Sequence, residues 1–174
     1  FLSNCKNQRK SDQITNRTMS LNMQEWIAKF DMQPHPEGGF FVETYRSQIS
    51  LADKKSIATV IYFLLPSGKK STWHRIKSDE FWFYHAGSAI VVHSIENGSY
   101  KSMEVGPSIL DNQLPQYLVP AGAIFGASVK EENTFSLVSC VVAPGFDFAD
   151  FELFTQAQME EMFPNLTTEI ARLY

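Results

Sequence analysis

Apolar residues follow two rhythms along this chain. Near its start they recur at helical spacing: Trp26 and Phe30 stand four apart with Ile27 beside them, after an Asn22/Glu25 pair at N-cap and capping-box positions. This predicts a short amphipathic helix over roughly 23–31. His35-Pro-Glu-Gly-Gly39 then breaks the chain. From Phe40 the rhythm becomes that of strands. Phe40-Phe-Val-Glu-Thr-Tyr45 and Ile57-Ala-Thr-Val-Ile-Tyr-Phe-Leu-Leu65 are rich in β-branched and aromatic residues, and Pro66-Ser-Gly68 turns the chain. Strands are expected around His74 and from Glu80 to Tyr84. Asn97-Gly98 predicts a hairpin between 89–95 and 100–105. Short strands follow over 117–119, 124–127 and 135–143. Thr155 with Gln158 opens a second helix that Pro164 stops, and a last amphipathic turn carries Ile170 and Leu173. Many short strands with regular turns, and no long helices between them, predict an all-β antiparallel barrel or sandwich flanked by short N- and C-terminal helices.

Residues 1–21 are polar and aperiodic, and are expected to form a flexible extension ahead of a single domain over 22–174. Composition narrows the picture. The chain is 44% hydrophobic and carries 14 Phe, which suits a barrel with a filled or ligand-lined interior. Its net charge of -4 comes without a basic patch, which argues against a nucleic-acid partner. No apolar run is long enough to span a membrane. Cys5 and Cys140 lie far apart, and Cys140 sits in an apolar run. The expectation is therefore a buried thiol, no disulfide framework, and the cytoplasm as default compartment.

The spacing Gly68-(five residues)-His74-x-Ile76-(three residues)-Glu80-(six residues)-Gly87 resembles the first motif of the cupin superfamily, in which two His and one Glu hold a metal. Ile76 replaces the second His. Pro120-Ala-Gly122 fits the turn of the second motif, with Phe125 at its His position. Four stretches together resemble the uncharacterised cupin 5 branch: His35 to Arg46, Ile61 to Leu65, Ser71 to Glu80, and Val142 to Glu152. That resemblance implies a double-stranded β-helix and a homodimer. A second resemblance is to the dTDP-4-dehydrorhamnose 3,5-epimerases, through Gly39-Phe-Phe-Val-Glu43-Thr-Tyr45. It implies a base-reading role for Glu43 and a catalytic role for His74. The phosphate-binding Arg of those enzymes corresponds here to Gly38, and their catalytic Tyr has no counterpart between Tyr117 and Tyr174.

Strict alternation along strands sorts the candidate site. If His74 points into the barrel, Thr72 and Ile76 follow; if Glu80 does, Trp82 and Tyr84 follow. By the same parity Glu43 and Arg46 take opposite faces of their strand. The expected catalytic set is His74 as general base, Glu80 on its other ring nitrogen, and Tyr84 or Tyr62 returning the proton. The expected ligand-binding set is Glu43, Arg46, Tyr62, Thr72, Ile76, Trp82 and Phe125. A metal needs three or four ligands, and only His74, Glu80 and His93 offer themselves, so no metal and no other cofactor is expected. Asp147 and Asp150 read as caps of a turn. Three functions fit. The first is an isomerase or epimerase acting on a carbohydrate or nucleotide-sugar. The second is a metal-free module binding a small molecule, and the third is a metal-dependent enzyme, which Ile76 and Phe125 disfavour.

Overall fold

The computed structural model describes residues 22–174; the extension expected over 1–21 lies outside the described residues. The first helix, α1 (Met23–Phe30), carries the expected capping box between Asn22 and Glu25, and Asp31 ends it in the left-handed conformation. The strands that follow are β1 (Gln33–Pro34), β2 (Phe40–Arg46), β3 (Thr59–Pro66), β4 (Lys70–Arg75), β5 (Asp79–Gly87), β6 (Ile90–Glu96), β7 (Ser99–Val105), β8 (Gln116–Val119), β9 (Ile124–Val129), β10 (Phe135–Ala143) and β11 (Glu152–Leu153). Two short helices close the chain, α2 (Gln156–Met162) and α3 (Thr167–Ile170). None of the described helices is long and apolar enough to cross a membrane.

The strands form two antiparallel sheets, one in the order β1-β2-β3-β10-β5-β8 and the other β11-β4-β9-β6-β7. This is the double-stranded β-helix expected from the sequence. Alternation along β3 shows how the layers are filled. Phe63 and Leu65 turn inward with Trp82, Ile90, Phe125 and Val138, while Tyr62 and Leu64 turn outward beneath α1. A third cluster lies outside the five-stranded sheet, where Trp73 meets Phe154, Met159, Ile170 and Leu173. The Trp73 indole N–H donates to the Ile170 carbonyl at 2.9 Å and ties the C-terminal segment to β4.

Three irregularities interrupt the alternation. In β2 the register against β3 shifts between Glu43 and Tyr45; in β4 the register against β9 shifts between Ser71 and His74; in β5 it shifts against β10 after Tyr84. Each inserts a residue and reverses parity beyond it. Two of the three lie beside the cavity described next.

Candidate functional site

One end of the barrel encloses a cavity of about 320 Å³. Its walls are aromatic, with Phe41, Phe63, Phe146 and Phe151 among them. Its polar groups are His35, Glu37, His74, Glu80 and Cys140 inside, with Glu43, Arg46 and Asp147 at the exposed rim. That size is at the lower end of small-molecule sites, and a mostly apolar wall with a few convergent polar groups is their usual composition.

His74 is fixed from both sides. Its Nδ1 lies 2.8 Å from the Thr72 carbonyl, which can only accept, so Nδ1 carries the proton. Its ring packs on Phe125, its cross-strand partner, at 4.1 Å. Its Nε2 therefore presents a lone pair, and 3.2 Å away is the Glu37 Oε2 atom, not Glu80. The same Oε2 lies 3.5 Å from His35 Nδ1, which accepts from the Glu37 backbone N–H. The His74 lone pair thus faces a carboxyl oxygen, an arrangement satisfied by a proton held between Glu37 and His74. Ser71 Oγ donates to the other oxygen, Glu37 Oε1, at 2.9 Å. Burial acts on both partners in the same sense, raising the Glu37 carboxyl and lowering His74 to about 4, so the neutral pair is favoured over the ion pair.

Glu37 reaches this position through its loop. Gly38 has φ +119°, and a Cβ there would stand 2.0 Å from the Lys70 carbonyl oxygen. Backbone contact that close requires glycine. It brings the Glu37 carbonyl within 2.9 Å of the Thr72 N–H and seats the loop on β4. The position of the epimerases' phosphate-binding Arg is thus one that accepts no side chain here.

Glu80 lines the same cavity. Burial, reinforced by the neighbouring Glu37, pushes its pKa up to about 8, so it is protonated at neutral pH. The Cys140 thiol lines the cavity with it, and burial, with Glu80 adding to it, raises that thiol well above its usual range. Burial also lowers His35.

The remaining candidates divide. Ile76, Glu43 and Arg46 line the cavity. The parity that set Glu43 and Arg46 on opposite faces is corrected by the extra residue in β2. Glu43 faces Ile61 and Arg46 faces Thr59, both inward residues, and Arg46 clasps Glu43 through two hydrogen bonds of 2.9 and 2.7 Å. In β4 the inserted residue gives Thr72's inward place to Ser71, and Thr72 Oγ1 instead donates to the Glu37 carbonyl. Phe125 backs His74. Trp82 is inward but packs on Phe63 and Phe125 outside the cavity lining. Tyr62 lies on the outer face against Phe30, and Tyr84 donates to the Gly87 carbonyl, so neither phenol reaches the cavity. His93 sits behind β9's far face with Trp73, its ring nitrogens engaged by Tyr100 and Ser128. Among the described residues no three His, Cys, Asp or Glu side chains are grouped as a metal site. Asp147 caps its turn through Ala149 N and also lines the rim; Asp150 receives Lys55 and Lys77.

Sequence reasoning passed over Glu37, the group that organises the site. Its signal was the His-Pro-Glu-Gly-Gly run, read as a chain breaker and as part of the cupin 5 resemblance but given no role in the site.

A double-stranded β-helix with a polar-centred cavity at one end defines the cupin class of protein. Residues 24–154 match the family described as cupin superfamily, DUF985, and the chain belongs to that family. It is 30% identical to an uncharacterized protein of Saccharomyces cerevisiae, over 74% of this chain and 73% of that one. A hypothetical protein from Leishmania major has a similar structure, with TM-score 0.81 and 38% identity over 87% of this chain and 98% of that one. A protein from Shewanella oneidensis gives TM-score 0.84 and 36% identity over 88% and 97%.

Proposed function

We propose that this cupin is an isomerase or epimerase that moves a proton next to the carbonyl of a carbohydrate or nucleotide-sugar. One observation carries the reading: two separate proton-holding groups, the Glu37–His74 pair and Glu80, line one small aromatic cavity. Both are tuned by burial away from their ordinary values, as acid–base catalysis near neutral pH requires. When empty, the Glu37–His74 pair takes the carbon-bound proton onto Glu37, where His74 Nε2 accepts a hydrogen bond from it. Glu80 gives its proton to the carbonyl oxygen, and an enediol results. For isomerisation the pair returns the proton to the neighbouring carbon; for epimerisation the opposite face takes its proton from water and the pair gives up to water the one it took; in both, Glu80 recovers its own. Glu80 takes the acid role expected of Tyr84 or Tyr62. His74 shares the base role with Glu37 rather than holding it alone.

The alternative is a non-catalytic module binding a small molecule. It draws on the burial of His74, 2% exposed with both ring nitrogens engaged. Proton exchange separates the two. Wild type, Glu37→Gln and His74→Ala are incubated in D₂O with a panel of ketoses, aldoses and 4-keto nucleotide-sugars, and followed by NMR. Deuterium entering beside the carbonyl with wild type alone supports the enzyme. Exchange absent throughout, or equal in all three proteins, supports the binding module.

A further inference from the structure

Resting on the reading above, we infer that the substrate is an uncharged carbohydrate and not a sugar phosphate or nucleotide-sugar. The charges around the cavity carry this. Inside, Glu37 and His74 share a proton, Glu80 holds its own, and burial keeps His35 neutral. No cation among the described residues reaches the cavity floor. At the rim the only lining cation among them is Arg46, and both oxygens of Glu43 hold it, with Asp147 as a further acid beside it. The rim therefore carries one positive and two negative groups. Lys55 and Lys77 stand outside the lining and both engage Asp150. Gly38 excludes any side chain, and so any cation, where the loop meets β4.

An anion entering this cavity would lose its hydration without a countercharge, the costliest form of polar burial. It would also pass Glu43 and Asp147 and approach two carboxyl groups. A neutral sugar meets none of these penalties. Its hydroxyls find Glu37, His35 and Glu80, and its apolar C–H face finds the phenylalanine walls. Glu43 and Asp147 thus act as specificity residues, the first by occupying Arg46.

Cys140 is a reporter inside the cavity and needs no known ligand. In a Cys5→Ser background, its modification is followed by mass spectrometry with three methanethiosulfonates. Their tails are neutral methyl, cationic trimethylammonium-ethyl and anionic sulfonatoethyl. Each rate is divided by the same reagent's rate with 2-mercaptoethanol. The cationic reagent is expected to react at least fivefold faster than the similarly sized anionic one. Glu43→Gln/Asp147→Asn should narrow that gap to less than twofold by freeing Arg46. Equal rates, or a faster anionic reagent, would overturn the inference. The D₂O panel gives the second arm. Exchange of nucleotide-sugars but not neutral sugars would sink this inference while leaving the isomerase reading standing. Absence of all exchange would sink the isomerase reading, with the thiol rates still reporting the charge of the cavity.

Discussion

At the residue scale the site depends on protons held where burial makes them hard to lose. Replacing Glu37 by Gln leaves a donor facing His74 Nε2 but removes the acid. Exchange is expected to fall about 100-fold or more, the usual worth of a positioned acid–base group, with the thermal midpoint little changed. NMR exchange rates beside a melting curve check both halves. Glu80 makes a different prediction, about pH and stability. Its pKa is raised on folding, to about 8 from an ordinary 4.5. The folded state therefore binds more protons than the unfolded state between those values, and stability is lost as pH rises through that window. Burial lowers His74 to about 4, which has the opposite sign and operates below its ordinary 6.5. Between pH 6.5 and 8 the Glu80 effect is thus unopposed by His74. Wild type should lose up to about 1.4 kcal/mol per pH unit there relative to Glu80→Gln. Urea unfolding at pH 6.5, 7.25 and 8 measures it; parallel curves for the two proteins would show that Glu80 is ionised in the folded state.

At the element scale the site is made by departures from regular strands. The β2 irregularity turns Arg46 inward beside Glu43, and that in β4 gives Ser71 the place nearest Glu37. The loop before β2 depends on Gly38. Gly38→Ala is expected to cost on the order of 2–3 kcal/mol, because the backbone conformation and the Lys70 carbonyl both oppose a Cβ. Chemical denaturation gives the cost. Loss of the Glu37–His74 contact should appear as a rise in the His74 imidazole pKa by NMR titration, as water reaches the ring. These elements also show what the sequence could reveal. The capping boxes at Asn22 and Thr155 and the Asn97-Gly98 hairpin are local chemistry and were legible. Motif spacing located His74 and Glu80 in one barrel. Strict alternation misplaced Thr72 and Arg46, because an inserted residue leaves no mark in hydrophobic pattern and reverses parity beyond it. Glu37 was invisible for another reason. It meets His74 only because a glycine-led loop docks on a strand more than thirty positions away, a tertiary contact with no period.

At the scale of the whole molecule, the described residues cover the outer face of the six-stranded sheet only in part. α1 packs on Tyr62, Leu64 and Leu137. Beyond it one row of cross-strand partners runs over five strands: Tyr45, Val60, Val141, Phe81 and Leu118. None of the five is charged. Tyr45 is 53% exposed, Leu118 38% exposed, and the other three are half-buried. Phe83 extends the row, stacked on Phe81 at 6.2 Å. A contiguous apolar strip on a sheet face is a liability unless something lies on it. We propose a second copy of the chain, in keeping with the homodimer that the cupin resemblance implies. A two-fold axis through Val141 would lay the row on itself, with Phe81 of each copy meeting Val60 of the other and Leu118 meeting Tyr45. Such a dimer leaves both cavities open, since they lie between the sheets rather than on this face. Sedimentation velocity at micromolar concentration should give a species near twice 19.8 kDa. Phe81→Glu/Val141→Glu should shift it to the monomer, because two charges per copy would be buried without partners. A wild-type monomer would leave the strip without this partner. Cys140 modification should remain at the wild-type rate in the double variant. Val141 follows Cys140 directly and turns to the opposite face, so a changed thiol rate would show instead that the substitutions had disturbed β10 itself.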